Sequence, residues 1–241
     1  MKPDGIVLLR PRQAAQADLI LCQQMGWQPL LVEYQHLQPI PTALLALAEE
    51  SKYYDVIFWT SPSAVNIAAE FVHSYSEQQH VAVGRATALA LQKQKFKHIV
   101  YPPVGQDSEA VWQLPLWHQQ TGKVLLIGGN NGRSWLAEQL NRTGWQVKVA
   151  EVYQRKMQCI DWETIIRWQQ QTYCKAVYVT TQAAVNHWFQ QLPTHLAASV
   201  KSLIYLTHHP RVHKALIQYD VQSILVNHLR NGLMLLHTDS K

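Results

Sequence analysis

The sequence predicts an α/β protein of two similar lobes, each a parallel β-sheet flanked by helices. Three observations carry this. Short apolar or β-branched runs alternate with longer stretches of helical period, which implies α/β units around parallel sheets. Several runs are apolar without a break, as strands buried on both faces should be. The first half of the chain also echoes faintly in the second.

The strand candidates, in order, are 6–9, 30–33, 56–60, 81–83, 98–101, 124–127, 147–152, 176–180, 203–206 and 223–226. Between them lie amphipathic segments of about ten to fifteen residues. In one of them Ala64, Val65, Ile67, Ala68, Phe71 and Val72 recur at the spacing of one helix face.

The echo keeps its order along the chain. Gly5-Ile6-Val7-Leu8-Leu9 returns as Gly122-Lys123-Val124-Leu125-Leu126, and Met25-Gly26-Trp27-Gln28 as Thr143-Gly144-Trp145-Gln146. Glu33-Tyr34-Gln35 returns as Glu151-Val152-Tyr153-Gln154, and the segment 55–66 as 175–186. A period near 120 residues is too long for a solenoid and fits a duplicated α/β domain.

Of the 241 residues, 47% are hydrophobic and only 15% charged, which excludes intrinsic disorder and provides for packed cores. A net charge of +5 suits an anionic ligand. Lysine and arginine are scattered and form no basic face, so no nucleic-acid partner is expected. Cys22, Cys159 and Cys174 share no metal-ligand spacing, and each reads as a small buried hydrophobe in a reducing compartment. The run 6–9 is too short for a signal-peptide core, and nothing approaches the roughly 18 apolar residues of a membrane span. A soluble cytoplasmic protein with no membrane partner is expected.

Ligands of open α/β sheets sit beyond the carboxyl ends of the strands, so the strand-end loops are informative. Thr60-Ser61-Pro62-Ser63 and Thr180-Thr181 occupy the same place in the two repeats and offer hydroxyls at a helix start. Gly84-Arg85-Ala86-Thr87 also opens a helix, whose N-terminus favours an anion. Gly128-Gly129-Asn130-Asn131-Gly132-Arg133 is the best anion cradle, but it lacks the Walker lysine and the GxGxxG pattern. In Asp107-Ser108-Glu109, Ser108 reads as an N-cap. The hydroxyl loops 60–63 and 180–181 and the start at 107–109 are each read as well as plain helix starts, and for the first two the recurrence in both repeats favours a ligand. His209 and His213 share a helix face but have no clear third ligand, so no metal site is expected. Lys93, Lys95 and Lys97 read as a solvated helix end. No Ser-His-Asp order, paired carboxylates or HExxH motif appears, so any chemistry rests on holding and orienting the substrate.

Several of these segments, taken in order, resemble the uroporphyrinogen-III synthase family over nearly the whole chain. They are Leu9-Arg10-Pro11, Thr60-Ser61 before Ala64-Val65, and the run 81–91 followed by Tyr101-Pro102. Ser108-Glu109 with Leu114-Pro115, the loop 128–133, and Glu151-Val152-Tyr153-Gln154-Arg155 complete the series. The resemblance implies a first, discontinuous lobe of 1–35 and 156–241, an inserted lobe of 36–155, and a two-stranded linker near 33–38 and 151–158. It implies cyclisation of hydroxymethylbilane to uroporphyrinogen III, with inversion of ring D and loss of water, in haem biosynthesis. No cofactor and no metal is implied. The partners implied are the polycarboxylate tetrapyrrole and a transient contact with the upstream deaminase, made by a monomer. A non-catalytic binder of an anionic small molecule is the alternative.

By the same resemblance Tyr153 helps the hydroxyl leave, as hydrogen-bond donor or weak acid, and Thr87 positions substrate. Arg10, Thr60, Ser61, Ser63, Gly84, Arg85, Ser108, Gly129, Arg133, Thr180, Thr181 and Thr207 are the implied substrate binders. The chain departs from the family pattern at three places. Leu9 stands where threonine is frequent, Gly128 where arginine is common, and Thr207-His208-His209-Pro210 where a glycine-rich loop is usual.

Overall fold

A computed structural model describes residues 2–73, 75–119, 121–130, 132 and 134–238. In chain order the elements are β1 (Asp4–Leu9), α1 (Arg12–Gln24), β2 (Gln28–Val32), β3 (Gln35–Pro39), α2 (Pro41–Glu50), β4 (Val56–Trp59), α3 (Pro62–Ala68), β5 (Gln79–Ala82), α4 (Arg85–Lys93) and β6 (Ile99–Val100). Then come α5 (Ser108–Trp112), α6 (Leu116–Gln119), β7 (Lys123–Gly129), α7 (Trp135–Arg142), β8 (Gln146–Met157), α8 (Trp162–Gln171) and β9 (Tyr173–Val179). The chain closes with α9 (Gln182–Gln190), α10 (Ala197–Lys201), β10 (Ile204–Thr207), α11 (Pro210–Ile217), β11 (Ser223–Leu225) and α12 (Leu229–Thr238). These form two compact units, Met1–His36 with Met157–Lys241, and Leu37–Lys156.

The first unit holds a five-stranded sheet in the order β11-β10-β9-β1-β2, parallel at every pairing. Both its faces are covered. Ile6 and Leu8 of β1 face one core with Cys22 of α1 and Leu233 of α12. Val7 and Leu9 alternate to the other, with Val185, Trp188 and Leu216 of α9 and α11. A strand covered on both faces gains nothing from polar residues, which is why β1 reads as an unbroken apolar run.

The second unit holds a six-stranded sheet in the order β3-β8-β7-β4-β5-β6, parallel from β8 to β6. Ile57 and Trp59 of β4 face one core and Val56 and Phe58 the other. Its buried tryptophans satisfy their ring N–H groups: Trp117 donates to the Val111 carbonyl at 2.8 Å and Trp145 to the Trp117 carbonyl at 3.2 Å. Such pairing removes the cost of burying a polar group.

The glycine echo has a structural cause. Gly26 and Gly144 end the turns after α1 and α7 with φ of +77° and +93°, the left-handed region that closes a helix C-terminus. Each is followed by a buried tryptophan just before a strand, Trp27 before β2 and Trp145 before β8.

Three sequence expectations need correction. The strand expected at 147–152 runs twelve residues, Gln146–Met157. Its far half pairs with β3: Ile40 N–H donates to the Val152 carbonyl and Gln158 N–H to the Tyr34 carbonyl, an antiparallel arrangement. Apart from the buried Val152 and Tyr153, the paired stretches are largely polar and partly exposed, so no apolar run announces them. The cap of α5 is Asp107, whose Oδ1 accepts the Ala110 N–H at 2.8 Å, and Ser108 is the first helical residue. The carboxylate sits three residues before that N–H, where capping geometry requires the acceptor. Among the cysteines only Cys22 is buried; Cys174 is half-buried and Cys159 exposed, because Cys159 lies in the polar stretch between β8 and α8. Lys93, Lys95 and Lys97 are exposed at the end of α4, as a solvated helix end should be.

Candidate active site

In each sheet the chain reverses direction once. In the second unit it reverses between β4 and β7, since β5 and β6 follow on one side and β8 on the other. The loops leaving such a pair part above and below the sheet and open a crevice at the carboxyl ends.

The carboxyl ends of β4 and β7, with β8 beside them, gather four of the expected residues. Ser61 caps α3, its Oγ accepting the Ala64 N–H at 3.1 Å. The Ser61 hydroxyl also lies 3.3 Å from the Tyr153 hydroxyl of β8. Gly129, the last residue of β7, is pressed against that ring: a Cβ there would stand 2.4 Å from a ring carbon and 2.9 Å from the hydroxyl. The Asn130 N–H donates to the Tyr153 carbonyl at 2.8 Å, and the Arg155 guanidinium lies 5.8 Å from the ring centroid. Tyr153 is only 2% exposed, so its ring is core and its hydroxyl is held from the loop side. Thr60 turns back, donating its hydroxyl to the Ile127 carbonyl at 3.2 Å. Gly128 is packed on it, with room for no side chain: a Cβ would meet the Thr60 hydroxyl at 2.5 Å. Ser63 is half-buried in the first turn of α3. Arg133 lies outside the described residues.

The loop after β5 is tighter than expected. Gly84 caps α4 in an extended conformation and is buried; a Cβ there would stand 2.9 Å from the Gln106 side chain. The absent side chain thus makes room for Gln106. Arg85 is exposed in the first turn, whereas Thr87 is 1% exposed and packs inward. Ser108 is half-buried at the start of α5.

In the first unit the reversal lies between β1 and β9. Thr181 caps α9, accepting the Ala184 N–H at 3.2 Å, and its hydroxyl lies 2.9 Å from that of Tyr34. Thr180 and Thr181 line a cavity of about 610 Å³ with His209, Pro210 and Arg211. Thr207 is fully buried and its Oγ1 accepts the His209 N–H at 3.3 Å, so it shapes the loop from within. Arg10 turns away from these threonines. It pairs with Asp18 of α1 and lies over the Tyr178 ring at 5.7 Å, in a different cavity that also includes His208. There the Tyr178 hydroxyl meets His208 Nδ1 at 2.7 Å. Burial pushes the Tyr178 hydroxyl up to about 12, and burial with the neighbouring His209 lowers His208. A neutral tyrosine donating to a neutral imidazole satisfies both shifts. His213 bonds Ser223 at 2.9 Å, and among the described residues no three His, Cys, Asp or Glu side chains come together to hold a metal.

The sequence reading does not single out Tyr34 or Arg211. The signal for Tyr34 is the echo that aligns it with Tyr153; nothing in the repeat marks Arg211.

The family described as uroporphyrinogen-III synthase HemD matches residues 17–229. The chain is 30% identical over 197 residues to the uroporphyrinogen-III synthase of Escherichia coli strain K12, spanning 76% of this chain and 78% of that protein. It is 33% identical over 178 residues to that of Salmonella typhimurium strain LT2, spanning 68% and 70%. Among solved structures, uroporphyrinogen-III synthetase from Helicobacter pylori 26695 shares the fold with a TM-score of 0.61 at 16% identity, over 99% of this chain and 100% of that one. A mutant uroporphyrinogen III synthase from the extreme thermophile Thermus thermophilus gives 0.54 at 17% identity, over 98% and 97%. Fold and loops define a duplicated, two-unit parallel α/β protein with hydroxyl-capped helices at its strand ends. The chain belongs to the uroporphyrinogen-III synthase family, enzymes of haem biosynthesis. No helix among its described residues is long and apolar enough to cross a membrane.

Proposed function

We propose that the chain cyclises hydroxymethylbilane to uroporphyrinogen III and water, with Tyr153 assisting departure of the hydroxyl. The observation that carries this reading is the Ser61–Tyr153 hydroxyl pair beside Gly129, at the strand reversal of the second unit. The Ser61 oxygen already accepts the Ala64 N–H. If Ser61 donates its own proton to the Tyr153 oxygen, the tyrosine proton is left to the leaving hydroxyl. Departure of water then gives a resonance-stabilised azafulvene cation. Attack through the substituted carbon of ring D forms a spiro intermediate, which fragments and recloses with ring D inverted. Loss of a proton restores the pyrrole, so substrate becomes product plus one water.

The remaining work is geometric, because the substrate closes unaided to isomer I. Its carboxylates suit donors at helix N-termini and the net positive chain. We assign this binding in the second unit to Thr60, Ser61, Ser63, Gly84, Arg85, Ser108, Gly129 and Arg133, with Thr87 positioning the loop from inside. In the first unit it falls to Thr180 and Thr181, with Thr207 as their support and Arg10 as a more distant contributor. We further assign action as a cytoplasmic monomer that takes its labile substrate directly from the upstream deaminase.

The test supplies hydroxymethylbilane freshly made by that deaminase, oxidises the product and separates the isomers. Predominantly isomer III upholds the reading. Isomer I alone, from folded protein, ends it in favour of an anion binder.

A further inference from the structure

The five strands of the first sheet correspond in order to five of the six strands of the second, so β10 followed by α11 in the first unit is the counterpart of β5 followed by α4 in the second. Gly84 caps α4 and Arg85 is its first residue; His209 caps α11 and Arg211 is its second. We infer that Arg211, with His209 beside it, holds a carboxylate of the substrate in the first unit, as the counterpart of Arg85. This rests on the synthase reading and adds residues that the sequence resemblance does not supply.

The charge balance of the loop carries the inference. Arg211 is exposed and, among the described residues, has no ion-pair or hydrogen-bond partner. It stands in the first turn of α11, which contains no acidic residue. A cation there opposes the helix dipole, so the position is unfavourable unless an anion joins it. Arg211 lines the cavity of about 610 Å³ with Thr180, Thr181 and His209, and among the described residues no carboxylate side chain lines it. The Thr181 hydroxyl is already engaged by the Ala184 N–H and by Tyr34, which leaves Thr180 and Gln182 as neutral side-chain donors at the cavity and Arg211 as its fixed positive charge. The His208 and His209 rings lie 3.9 Å apart, which holds His209 at the rim. Nor can the second unit carry an arginine at Gly128, where a Cβ already meets Thr60 at 2.5 Å. The site takes the planar, delocalised charge of a carboxylate, which a guanidinium binds in bidentate fashion.

The test measures steady-state kinetics with fresh hydroxymethylbilane on the full chain. Arg211→Gln is expected to raise KM about tenfold, a loss of about 1.4 kcal/mol, with kcat, isomer III share and melting temperature near those of the parent. Arg211→Lys should recover most of the loss through its charge. Lys201→Gln, which removes an exposed cation from the last turn of α10, is expected to leave KM unchanged. A parental KM in Arg211→Gln overturns the inference while the synthase reading stands. An equal rise in Lys201→Gln overturns it too, since net charge would then explain both. Absence of isomer III from the parent protein overturns the synthase reading first, and this inference with it.

Discussion

The two units solve the same problem with the same parts. The sheet order β11-β10-β9-β1-β2 of the first unit matches β6-β5-β4-β7-β8 of the second, position by position. In each, a hydroxyl residue caps the helix after the strand beside the reversal, Thr181 in one and Ser61 in the other. In each, that hydroxyl meets a buried tyrosine, Tyr34 at 2.9 Å and Tyr153 at 3.3 Å. A tyrosine bonded to a cap is therefore scaffold, present twice. The units differ in what surrounds it. Gly129 brings the end of β7 onto the Tyr153 ring, whereas the end of β1 carries Arg10, committed to Asp18. The hydroxyl pair is common to both units, and what sets Tyr153 apart is the side-chain-free approach of Gly129 to its ring beside that pair.

Acidification separates the units most strongly. In the second unit His80 is fully buried and accepts the Trp59 ring N–H on Nδ1 at 3.2 Å, an arrangement that requires neutral imidazole. Burial, with His98 nearby, lowers its pKa from 6.5 to about 4. The unfolded chain then binds the proton first. This stability is complete above pH 6.5 and is lost as pH falls toward 4, by about 3 kcal/mol in all. Denaturation followed by fluorescence should show the second unit yielding first, and His80→Gln should flatten the acid limb. An equally steep loss in the first unit would break the contrast.

Gly129→Ala comes next. The added methyl overlaps the Tyr153 ring, and such overpacking costs about 2 kcal/mol. Isomer III formation should fall with it, since the ring must move. A variant with parental melting and activity would leave Gly129 without a role. Replacing the caps tests the shared part: Ser61→Ala and Thr181→Ala should each destabilise by about 1 kcal/mol in urea titrations. Widely unequal losses would mean that the caps are not equivalent. Smallest in stability are Tyr34→Phe and Tyr153→Phe, each removing one hydroxyl contact worth about 1 kcal/mol or less. Only Tyr153→Phe should slow turnover. Equal slowing in both, or in neither, would sink the distinction between them.

Much of this is open to reading from residues alone. The apolar runs mark ten of the eleven strands among the described residues, most plainly the central β1, β4 and β7, where burial on both faces leaves little place for polar side chains. β3 escapes such a reading because only Leu37 packs against a core, while Gln35, His36 and Gln38 are polar and partly or fully exposed. At the site, the hydroxyl caps Ser61 and Thr181 are legible since capping is a local rule, met within three residues. Ser108 misleads for the same reason: two neighbouring residues could each cap, and backbone geometry chose Asp107.

The sequence by itself determined the strand and helix pattern, the duplication and the strand-end loops, because these follow from the burial period, glycine turns and local capping. Tertiary structure alone decided which loops meet. It paired Tyr34 with Thr181 across 147 residues of chain and Tyr153 with Ser61 across 92, so each tyrosine bonds the cap from the other repeat. It turned Arg10 toward Asp18 and left Arg211 facing a cavity without an acid. Contacts at such separation depend on strand order and on where each side chain finds room, and neither is encoded in any local stretch of residues.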